Sequence, residues 1–342
     1  MTSDNKPRAP RNKTLTLSEA ELETYGARCV QVKEAATLQD ILNKTINQDV
    51  FTVLGHLPSE SVDLIFADPP YTLQKSFNGR TFSWKTLEGY EAYLAGWLPE
   101  LVRLLKPDGS IYICGDWRSS AAIHRVAERC LKIQNRITWE REKGRGAKTN
   151  WKNSSEDLWF CTKSDSYTFH VEDVKLKRRV IAPYTDEKGR PKDWESTNKG
   201  NFRLTHPSNL WTDLTVPFWS MPENTDHPTQ KPEKLVAKII LASSNEGDTV
   251  LDPFCGSGTT PVVAKKLDRN YIGVEVDKMF SALTEKRLEL AEADSGIQGY
   301  YDGVFWERNT LALQKAETHA KAKRNEKSKS VDHVKKTPLF SS

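Results

Sequence analysis

Four short segments carry residue types from which an active site could be built. The first is Asp68-Pro69-Pro70-Tyr71, which follows the apolar run Val62–Ala67. Ligands of open α/β sheets bind outside the carboxyl ends of the strands, and two adjacent prolines remove two backbone donors while fixing a rigid turn. The segment would then hold the Asp68 carboxylate and the backbone carbonyls as fixed hydrogen-bond acceptors. The aromatic ring of Tyr71 would lie beside them. A strand-ending turn with an exposed aspartate explains the same residues.

The second segment, Leu251–Thr260, is an apolar strand that runs into a glycine-rich turn and then a helix. It lacks the GxxxxGK[ST] pattern of a phosphate-binding P-loop, but Gly256 and Gly258 let a ligand approach the backbone closely. Glu275 ends the next strand candidate, seventeen residues beyond Gly258. An acidic group about 20 residues after a glycine-rich turn is the position that bonds ribose hydroxyls in nucleotide-binding folds.

The third segment is His227-Pro228-Thr229-Gln230-Lys231-Pro232, immediately before a helix candidate, and the fourth feature is Asp49, which precedes a helix-like run. Each has a simpler interpretation. The third can be a helix entry with a solvated lysine, and Asp49 can be a helix cap.

Apolar, β-rich runs alternate with amphipathic runs around these segments, which predicts a doubly wound α/β fold. The strand candidates are Val62–Asp68, Ser110–Asp116, Asn135–Trp139, Leu158–Thr162, Thr249–Phe254 and Tyr271–Val276. The helix candidates are residues 91–105, 118–131 and Pro232–Ser244. The four segments would then lie where strands end and helices begin.

Residues 165–226 interrupt the alternation, since they are rich in Lys, Arg, Asn, Pro and Trp and have no sustained apolar period. This favours an insertion on the α/β core. The formal net charge of +4 is unevenly spread, with +3 in residues 1–13, +5 in residues 315–342 and −4 between them. Residues 142–203 carry a local +4, so the acidic body has a basic segment in its middle.

Composition excludes several classes of protein. A content of 37% hydrophobic residues excludes disorder throughout. No apolar run approaches the ~18–20 residues of a membrane span, and residues 1–24 are not signal-like, so we expect a soluble, unsecreted protein without a membrane partner. The five cysteines form no CxxC pair, which favours reduced thiols in a cytoplasm over disulfides or a zinc site, and no metal is expected.

Asp68–Tyr71, Phe254–Gly258 and His227–Pro232, in this order along the chain, resemble the motifs of the β-class DNA adenine-N6 methyltransferases of restriction-modification systems. The resemblance covers roughly residues 45–295. It implies a Rossmann-like, doubly wound methyltransferase sheet with a permuted motif order and an inserted target-recognition region. One departure is Thr72, where the family commonly has Asn.

Site residues follow from the resemblance, residue by residue. It implies catalytic roles for Asp68, Pro69, Pro70 and Tyr71. It implies that S-adenosylmethionine is bound by Asp49, Asp68, His227, Thr229, Gln230, Lys231, Asp252, Phe254, Gly256, Ser257, Gly258, Thr259 and Glu275.

The basic, tryptophan-rich middle of the chain takes the place of the family's DNA-contacting region. Basic side chains can neutralise phosphates, and aromatic rings among them can stack on bases. The nucleic-acid-binding residues predicted here are Trp139, Arg145, Lys148, Trp151, Lys177, Arg178 and Arg179, whereas Trp159, inside an apolar strand, is predicted to be core.

Composition and the resemblance together divide the chain into five parts. These are a basic, polar tail (1–24), the catalytic half of the core (25–162), a target-recognition insertion (163–226), the cofactor-binding half (227–314) and a basic, disordered tail (315–342). The resemblance implies double-stranded DNA as a partner, a homodimer, and a prokaryotic, cytoplasmic protein that associates with the nucleoid through DNA.

The chemistry implied is direct methyl transfer to N6 of an adenine that has been flipped out of the duplex. Cytosine-N4 methylation needs the same amine chemistry, although Asp rather than Ser in the first motif position favours adenine. RNA or protein-amide methylation suits the basic insertion less well, because that insertion fits a long polyanion. A DNA-binding regulator whose methyltransferase core only senses the cofactor is a further alternative, which the intact Asp68 and Tyr71 disfavour.

Overall fold

A computed structural model describes residues 9–70, 86–141, 148–180, 184–197 and 200–310, with the backbone of residues 75–77 and 80–82. Tyr71, Arg145 and the whole of the predicted tail 315–342 lie outside the described residues. The described part of the chain contains no helix long and apolar enough to cross a membrane.

The described residues form nine α-helices, numbered α1 to α9 in chain order: Glu19–Gly26, Leu38–Ile41, Val50–Val53, Leu87–Ala95, Leu98–Leu104, Ser120–Ala127, Glu233–Ser243, Thr259–Lys266 and Lys278–Ala293. Their strands, β1 to β15, are Lys44–Ile46, Val62–Ala67, Lys75–Phe77, Arg80–Phe82, Leu105–Gly115, Lys132–Glu140, Ser155–Thr162, Leu176–Arg179, Glu195–Thr197, Gly200–Thr205, Leu210–Trp211, Thr249–Asp252, Asn270–Val274, Tyr300–Tyr301 and Val304–Trp306.

An eight-stranded sheet in the order β1-β13-β12-β2-β5-β7-β6-β11 organises the first of two compact units, which comprises the described residues up to Val174 and 206–298. β1, β13, β12, β2 and β5 pair in parallel, and β7 runs antiparallel to both of its neighbours. Consecutive residues of β2, such as Ile65 and Phe66, point to opposite faces of the sheet and are both buried, so both faces are covered. The doubly wound α/β prediction is confirmed.

The six strand candidates all lie on observed strands, but the helix predictions need correction. The amphipathic run 91–105 forms two helices, because α4 ends at Ala95 with Gly96 as its cap and Pro99 opens the first turn of α5. Trp97, at the break, is fully buried and holds the junction in the core. The run 118–131 is helical only over Ser120–Ala127.

Helix α7 is buried along its whole length although it carries charged residues. Its lysines Lys234 and Lys238 both pair with the buried carboxylate of Asp213 at 2.6 Å. Glu233 pairs with Lys266 at 2.8 Å and with Arg287 at 2.9 Å. These pairs offset the desolvation of charges that would otherwise destabilise a buried helix.

The second unit comprises residues 175–205 and 299–310 within the described chain. Its five-stranded sheet has the order β14-β15-β8-β10-β9, and β15 pairs in parallel with β8. Residues 175–205 fall within the predicted insertion, and its flanks, 163–174 and 206–226, belong to the first unit. The functional division of the chain into catalytic, recognition and cofactor-binding parts stays a prediction.

Candidate active site

Three sequence segments meet because the strands before them are neighbours. β12 lies between β2 and β13, and all three run in parallel. Asp68 directly follows β2, Asp252 ends β12, and Glu275 directly follows β13. Since parallel strands present their carboxyl ends at one sheet edge, the three acidic residues share that edge.

Segment 227–232 reaches the same edge through Lys231. The Lys231 ammonium group donates to Oδ2 of Asp68 at 2.5 Å and lies 3.5 Å from Oε2 of Glu156, at the start of β7. Its side chain is only 6% exposed. Burial opposes the charged form of Lys231, but attraction by Asp68 and Glu156 outweighs it, so the net effect is to raise the pKa of Lys231. The lysine therefore stays charged and joins the first segment to the third.

The glycine turn has a backbone that only glycine adopts easily. Gly256 and Gly258 have φ of +54° and +80°. A Cβ on Gly256 would lie 2.9 Å from Nε2 of His227, and a Cβ on Gly258 would lie 2.4 Å from Cγ2 of Thr284. Both positions therefore require glycine, because the backbone has a positive φ and because a side chain would collide with its neighbours. The contact with His227 also shows that the turn lies directly against segment 227–232.

Glu275 holds the turn to the end of β13. Its Oε2 accepts from the backbone N–H of Gly256 at 2.9 Å, and its Oε1 accepts from the N–H of Asp277 at 2.8 Å. Burial raises the pKa of this carboxyl group, and the backbone N–H groups of Asp277, Gly256 and Val276 oppose the rise. A carboxylate has about four acceptor sites, so one remains for a hydroxyl donor beside the three backbone N–H groups.

Asp252 is a buried acid at the base of the turn. Its Oδ2 accepts from the hydroxyl of Thr260 at 2.5 Å and its Oδ1 accepts from the N–H of Phe254 at 3.0 Å. Burial raises the pKa of Asp252 to about 7, against the lowering effect of both hydrogen bonds, and the negative charges of Asp68 and Glu275 add to the rise. A cation at this edge would favour the ionised form.

His227 and Gln230 anchor segment 227–232 beside the turn. The His227 ring packs edge-on against Phe280 with centroids 4.5 Å apart, and burial lowers the pKa of His227 to about 4. Oε1 of Gln230 accepts from the N–H and the hydroxyl of Thr225 at 2.8 and 2.7 Å, and the Thr225 hydroxyl lies 3.1 Å from that of Ser257. His227 is therefore neutral at physiological pH, and Gln230 has a structural role here.

A cluster of buried polar side chains packs against the glycine turn and stabilises it. Arg287 donates to the carbonyl of Ser257 at 2.8 Å and to Oε1 of Glu233 at 2.9 Å. Glu223 accepts from the N–H of Glu233 at 2.7 Å, and its pKa is raised to about 8 by burial and by the charge of Glu233. The hydroxyl of Thr259 donates to the carbonyl of Lys231 at 3.2 Å, so this cluster also ties the turn to the third segment.

Three other predicted cofactor residues, Asp49, Phe254 and Thr229, each lie in different surroundings. Asp49 caps α3, accepting from the N–H of Phe51 at 3.1 Å, so the capping interpretation is confirmed. It follows β1, which neighbours β13 and ends at the same sheet edge. Phe254 packs edge-on against Trp97 at 5.3 Å. Thr229 is half-buried in segment 227–232.

Trp139 is not available for stacking on a base. It is 1% exposed, because β6 lies between β7 and β11 and this ring points into the protein. The guanidinium of Arg141 lies 5.7 Å from its centroid, so the basic neighbour packs on the ring. Trp151 is 93% exposed and Lys148 is exposed, while Trp159 is buried, as predicted.

Three further predicted DNA contacts, Lys177, Arg178 and Arg179, lie on β8 of the second unit. Lys177 lies over the ring of Trp306, with its Nζ 4.4 Å from the centroid. Nε of Arg178 is 3.7 Å from Oε1 of Glu307, and the backbone N–H of Arg179 donates to the same carboxylate at 3.1 Å. Residues 299–310, after the predicted cofactor-binding motifs, thus supply partners for the basic strand.

Sequence reasoning did not identify Glu156 or Arg141 as site residues. The signal for Glu156 was present, because two acidic residues, Glu156 and Asp157, open a strand that is otherwise apolar. Buried acids in such a strand need partners. Among the described residues, no group of three or more His, Cys, Asp or Glu side chains is arranged to hold a metal.

We predict that Gly258→Ala destabilises the protein by more than Gly247→Ala. Gly247 has a similar φ, +82°, but an added Cβ there meets no atom within 4 Å, whereas at Gly258 it meets Thr284. Both variants incur the conformational penalty of about 1 kcal/mol, and only Gly258→Ala adds the steric one. Denaturant unfolding of the two variants measures the difference, and equal losses of stability would contradict the crowding of this turn.

Comparison with known proteins agrees with this geometry. Residues 62–286 match the family model of the N6/N4 DNA methylases. The DNA adenine methyltransferase YhdJ of Escherichia coli K12 is 35% identical over 257 residues, which cover 72% of this chain and 82% of that protein. The type II methyltransferase M.HpaI of Haemophilus parainfluenzae is 34% identical, covering 72% and 74%.

Among solved structures, the PvuII DNA methyltransferase, which is cytosine-N4-specific, matches with a TM-score of 0.51 and 18% identity. The match covers 74% of this chain and 92% of that one, and it shows a common fold. With the family match spanning most of the chain and relatives above 30% identity, the chain belongs to the N6/N4 family of DNA methylases.

Proposed function

We propose that this DNA methylase transfers a methyl group from S-adenosylmethionine to N6 of adenine at specific sites in double-stranded DNA. The observation that carries the proposal is the convergence of Asp68, segment 227–232 and the Gly256–Gly258 turn at one sheet edge, joined by Lys231 and Glu275. Such an edge can hold a cationic cofactor beside an acceptor for an amine.

Asp68 and the carbonyl of Pro69 are suited to bind the amine of a flipped base. The N6 lone pair of adenine is delocalised into the ring, so the ground-state amine is planar and weakly nucleophilic. Acceptors for both N6 hydrogens favour the pyramidal nitrogen of the transition state over that ground state. Stacking of Tyr71 would contribute ~1–3 kcal/mol toward flipping. No covalent intermediate on the enzyme is needed, because orientation supplies the remaining advantage.

The charges at the edge fit S-adenosylmethionine. Two buried acids, Asp252 and Glu275, have raised pKa values and flank the turn, so a ligand with positive groups would stabilise their ionised forms. Glu275 keeps acceptor capacity for ribose hydroxyls. Asp252, Glu275 and the turn would hold the cofactor, with the rings of His227 and Phe254 as packing contacts. When bound, the cofactor supplies the methyl group as an electrophile.

Adenine is favoured over cytosine by the Asp at the first position of the catalytic motif. A relative named a DNA adenine methyltransferase supports this choice, although a cytosine-N4 enzyme shares the fold. Type II relatives support a modification enzyme of a restriction-modification system. The family resemblance further supports a homodimer and a prokaryotic cytoplasmic protein that associates with the nucleoid through DNA.

We predict that Asp68→Ala abolishes methyl transfer while binding of S-adenosylmethionine largely survives. The variant removes the amine acceptor but leaves Lys231 a partner in Glu156. Transfer of radiolabelled methyl groups to mixed-sequence DNA, with cofactor binding by calorimetry, measures both effects. Glu60→Ala, an exposed change before β2, is the control. Near-normal turnover in Asp68→Ala would exclude the assignment, and sequencing of modified bases would distinguish adenine from cytosine.

Cofactor affinity should rise with pH through about 7. Burial raises the pKa of Asp252 to about 7, so its carboxyl group is neutral below that pH and becomes a carboxylate above it. Since a carboxylate attracts the cationic cofactor, affinity should fall below pH 7, by at most about tenfold per pH unit. Asp252→Asn should weaken binding at pH 8 and flatten the profile, whereas Asp248→Asn, beyond the opposite end of β12, should keep it. A pH dependence unchanged by Asp252→Asn would contradict this role.

Neutralising Arg178 and Arg179 should weaken DNA binding and reduce its salt dependence. For every phosphate that is no longer neutralised, the slope of log affinity against log salt becomes shallower by about one. The double variant Arg178→Gln/Arg179→Gln is compared with Arg28→Gln/Arg125→Gln, which removes two exposed arginines of the first unit that pair with Glu289 and Glu91. Fluorescence anisotropy over a salt series gives both slopes. Identical slopes would contradict a phosphate role for the β8 arginines.

A further inference from the structure

Four alternating charges form a continuous chain that ends at Asp68. Arg141, directly after β6, donates to Oε1 of Glu156, and Oε2 of Glu156 lies 3.5 Å from Nζ of Lys231. Lys231 in turn donates to Asp68 at 2.5 Å. The order of charges is therefore positive, negative, positive, negative, and the chain is neutral as a whole.

The chain becomes more buried toward its middle. The side chain of Arg141 is 31% exposed, while those of Glu156 and Lys231 are 8% and 6% exposed. Interactions between buried charges are poorly screened, so each member feels the charge of its neighbours strongly. Removing one member therefore changes the balance of forces on the next.

Lys231 lies between two carboxylates that compete for it. Asp68 holds it at the shorter distance, and the contact of Glu156 with Arg141 keeps Glu156 largely neutralised. Without Arg141, Glu156 would be a buried carboxylate with Lys231 as the nearest cation among the described residues. The ammonium group would then be drawn from Asp68 toward Glu156.

Arg141 is fixed where it can perform this task. Its guanidinium lies over the buried ring of Trp139, and its backbone N–H donates to the carbonyl of Ser154 at 2.6 Å. Trp139 is itself opposite Glu156 in the β6–β7 register. The ring that sequence reasoning assigned to DNA thus supports the arginine that neutralises Glu156.

We propose that Arg141 and Glu156 are positioning residues of the methyl transfer reaction: Arg141 neutralises Glu156 so that Lys231 stays on Asp68 and holds that carboxylate in place for the amine. The proposal rests on the proposed function of this edge. Neither residue needs to touch the base or the cofactor, because both act through Lys231.

The proposal is tested by removing the charges of Arg141 and Glu156 one at a time and then together. Arg141→Gln should lower the single-turnover rate of methyl transfer at saturating DNA and cofactor by about 10-fold or more, within the range of coupling in ion-pair networks. Adding Glu156→Gln to that variant removes the competing carboxylate, so the rate should recover to within about threefold of Glu156→Gln alone. Arg141→Lys, which keeps the charge, should retain most of the rate.

Lys148→Gln is the matched control, since Lys148 is an exposed lysine beyond the same strand and outside the charge chain. Any change that Lys148→Gln causes in DNA affinity should persist when Glu156→Gln is added. A crystal structure of Arg141→Gln gives a readout independent of activity, and should show Lys231 closer to Glu156 than to Asp68.

The outcomes separate this inference from the proposed function. If the unmodified protein methylates no DNA, the proposed function fails. If it does methylate DNA, and Arg141→Gln is either fully active or not rescued by Glu156→Gln, the charge chain does not position Asp68. A rate loss that disappears when DNA is raised to saturation would show Arg141 to be a phosphate contact only, and would overturn the inference.

Discussion

The Lys231 ammonium group lies between two carboxylates that come from different strands, Asp68 after β2 and Glu156 at the start of β7. An ammonium group in a low-dielectric interior carries a desolvation penalty of several kcal/mol, so it persists only with well-placed partners. Because both partners are fixed at the same sheet edge, the ion pairs also fix segment 227–232 against Asp68. The meeting of two motifs that lie far apart in the sequence depends on this one cation.

The next residues along the chain are fixed from the opposite side. The carbonyl of Lys231 accepts from Thr259, and the carboxylate of Glu233 binds Arg287, which also binds the carbonyl of Ser257. One short stretch of backbone therefore connects Asp68 with the glycine turn. Fully satisfied networks of this kind stiffen a site, and a network with a missing member destabilises it.

Much of this arrangement could be predicted from sequence. Apolar strands that end in Asp68, Asp252 and Glu275 identify one sheet edge, since parallel strands place their carboxyl ends together. The doubly wound fold and the capping role of Asp49 follow from the same kind of local pattern. The break between α4 and α5 also had local signals, Gly96 and Pro99, but the apolar face continues across it.

Long-range partners could not be predicted in this way. Trp139 beside basic residues resembles a stacking surface, yet its burial is decided by β11, which is more than 70 residues away in sequence. The pairing of Glu156 with Arg141 and Lys231 likewise depends on strand register and on a segment from another part of the chain. The 299–310 segment joins β8 only through tertiary pairing. Periodicity and spacing carry no information about such neighbours.

Acidic and basic side chains are concentrated in different parts of this chain, and each part favours a ligand of different charge. Asp68, Glu156, Asp252 and Glu275 meet only two cations of the charge chain, Lys231 and Arg141, so an ionised edge has an excess of negative charge. That excess favours a cationic ligand over an anionic one. Residues 142–203 carry a local +4, and a basic segment attracts a polyanion through water over roughly one Debye length, about 8 Å. A DNA methylase needs both preferences, because S-adenosylmethionine carries positive groups and DNA is a polyanion.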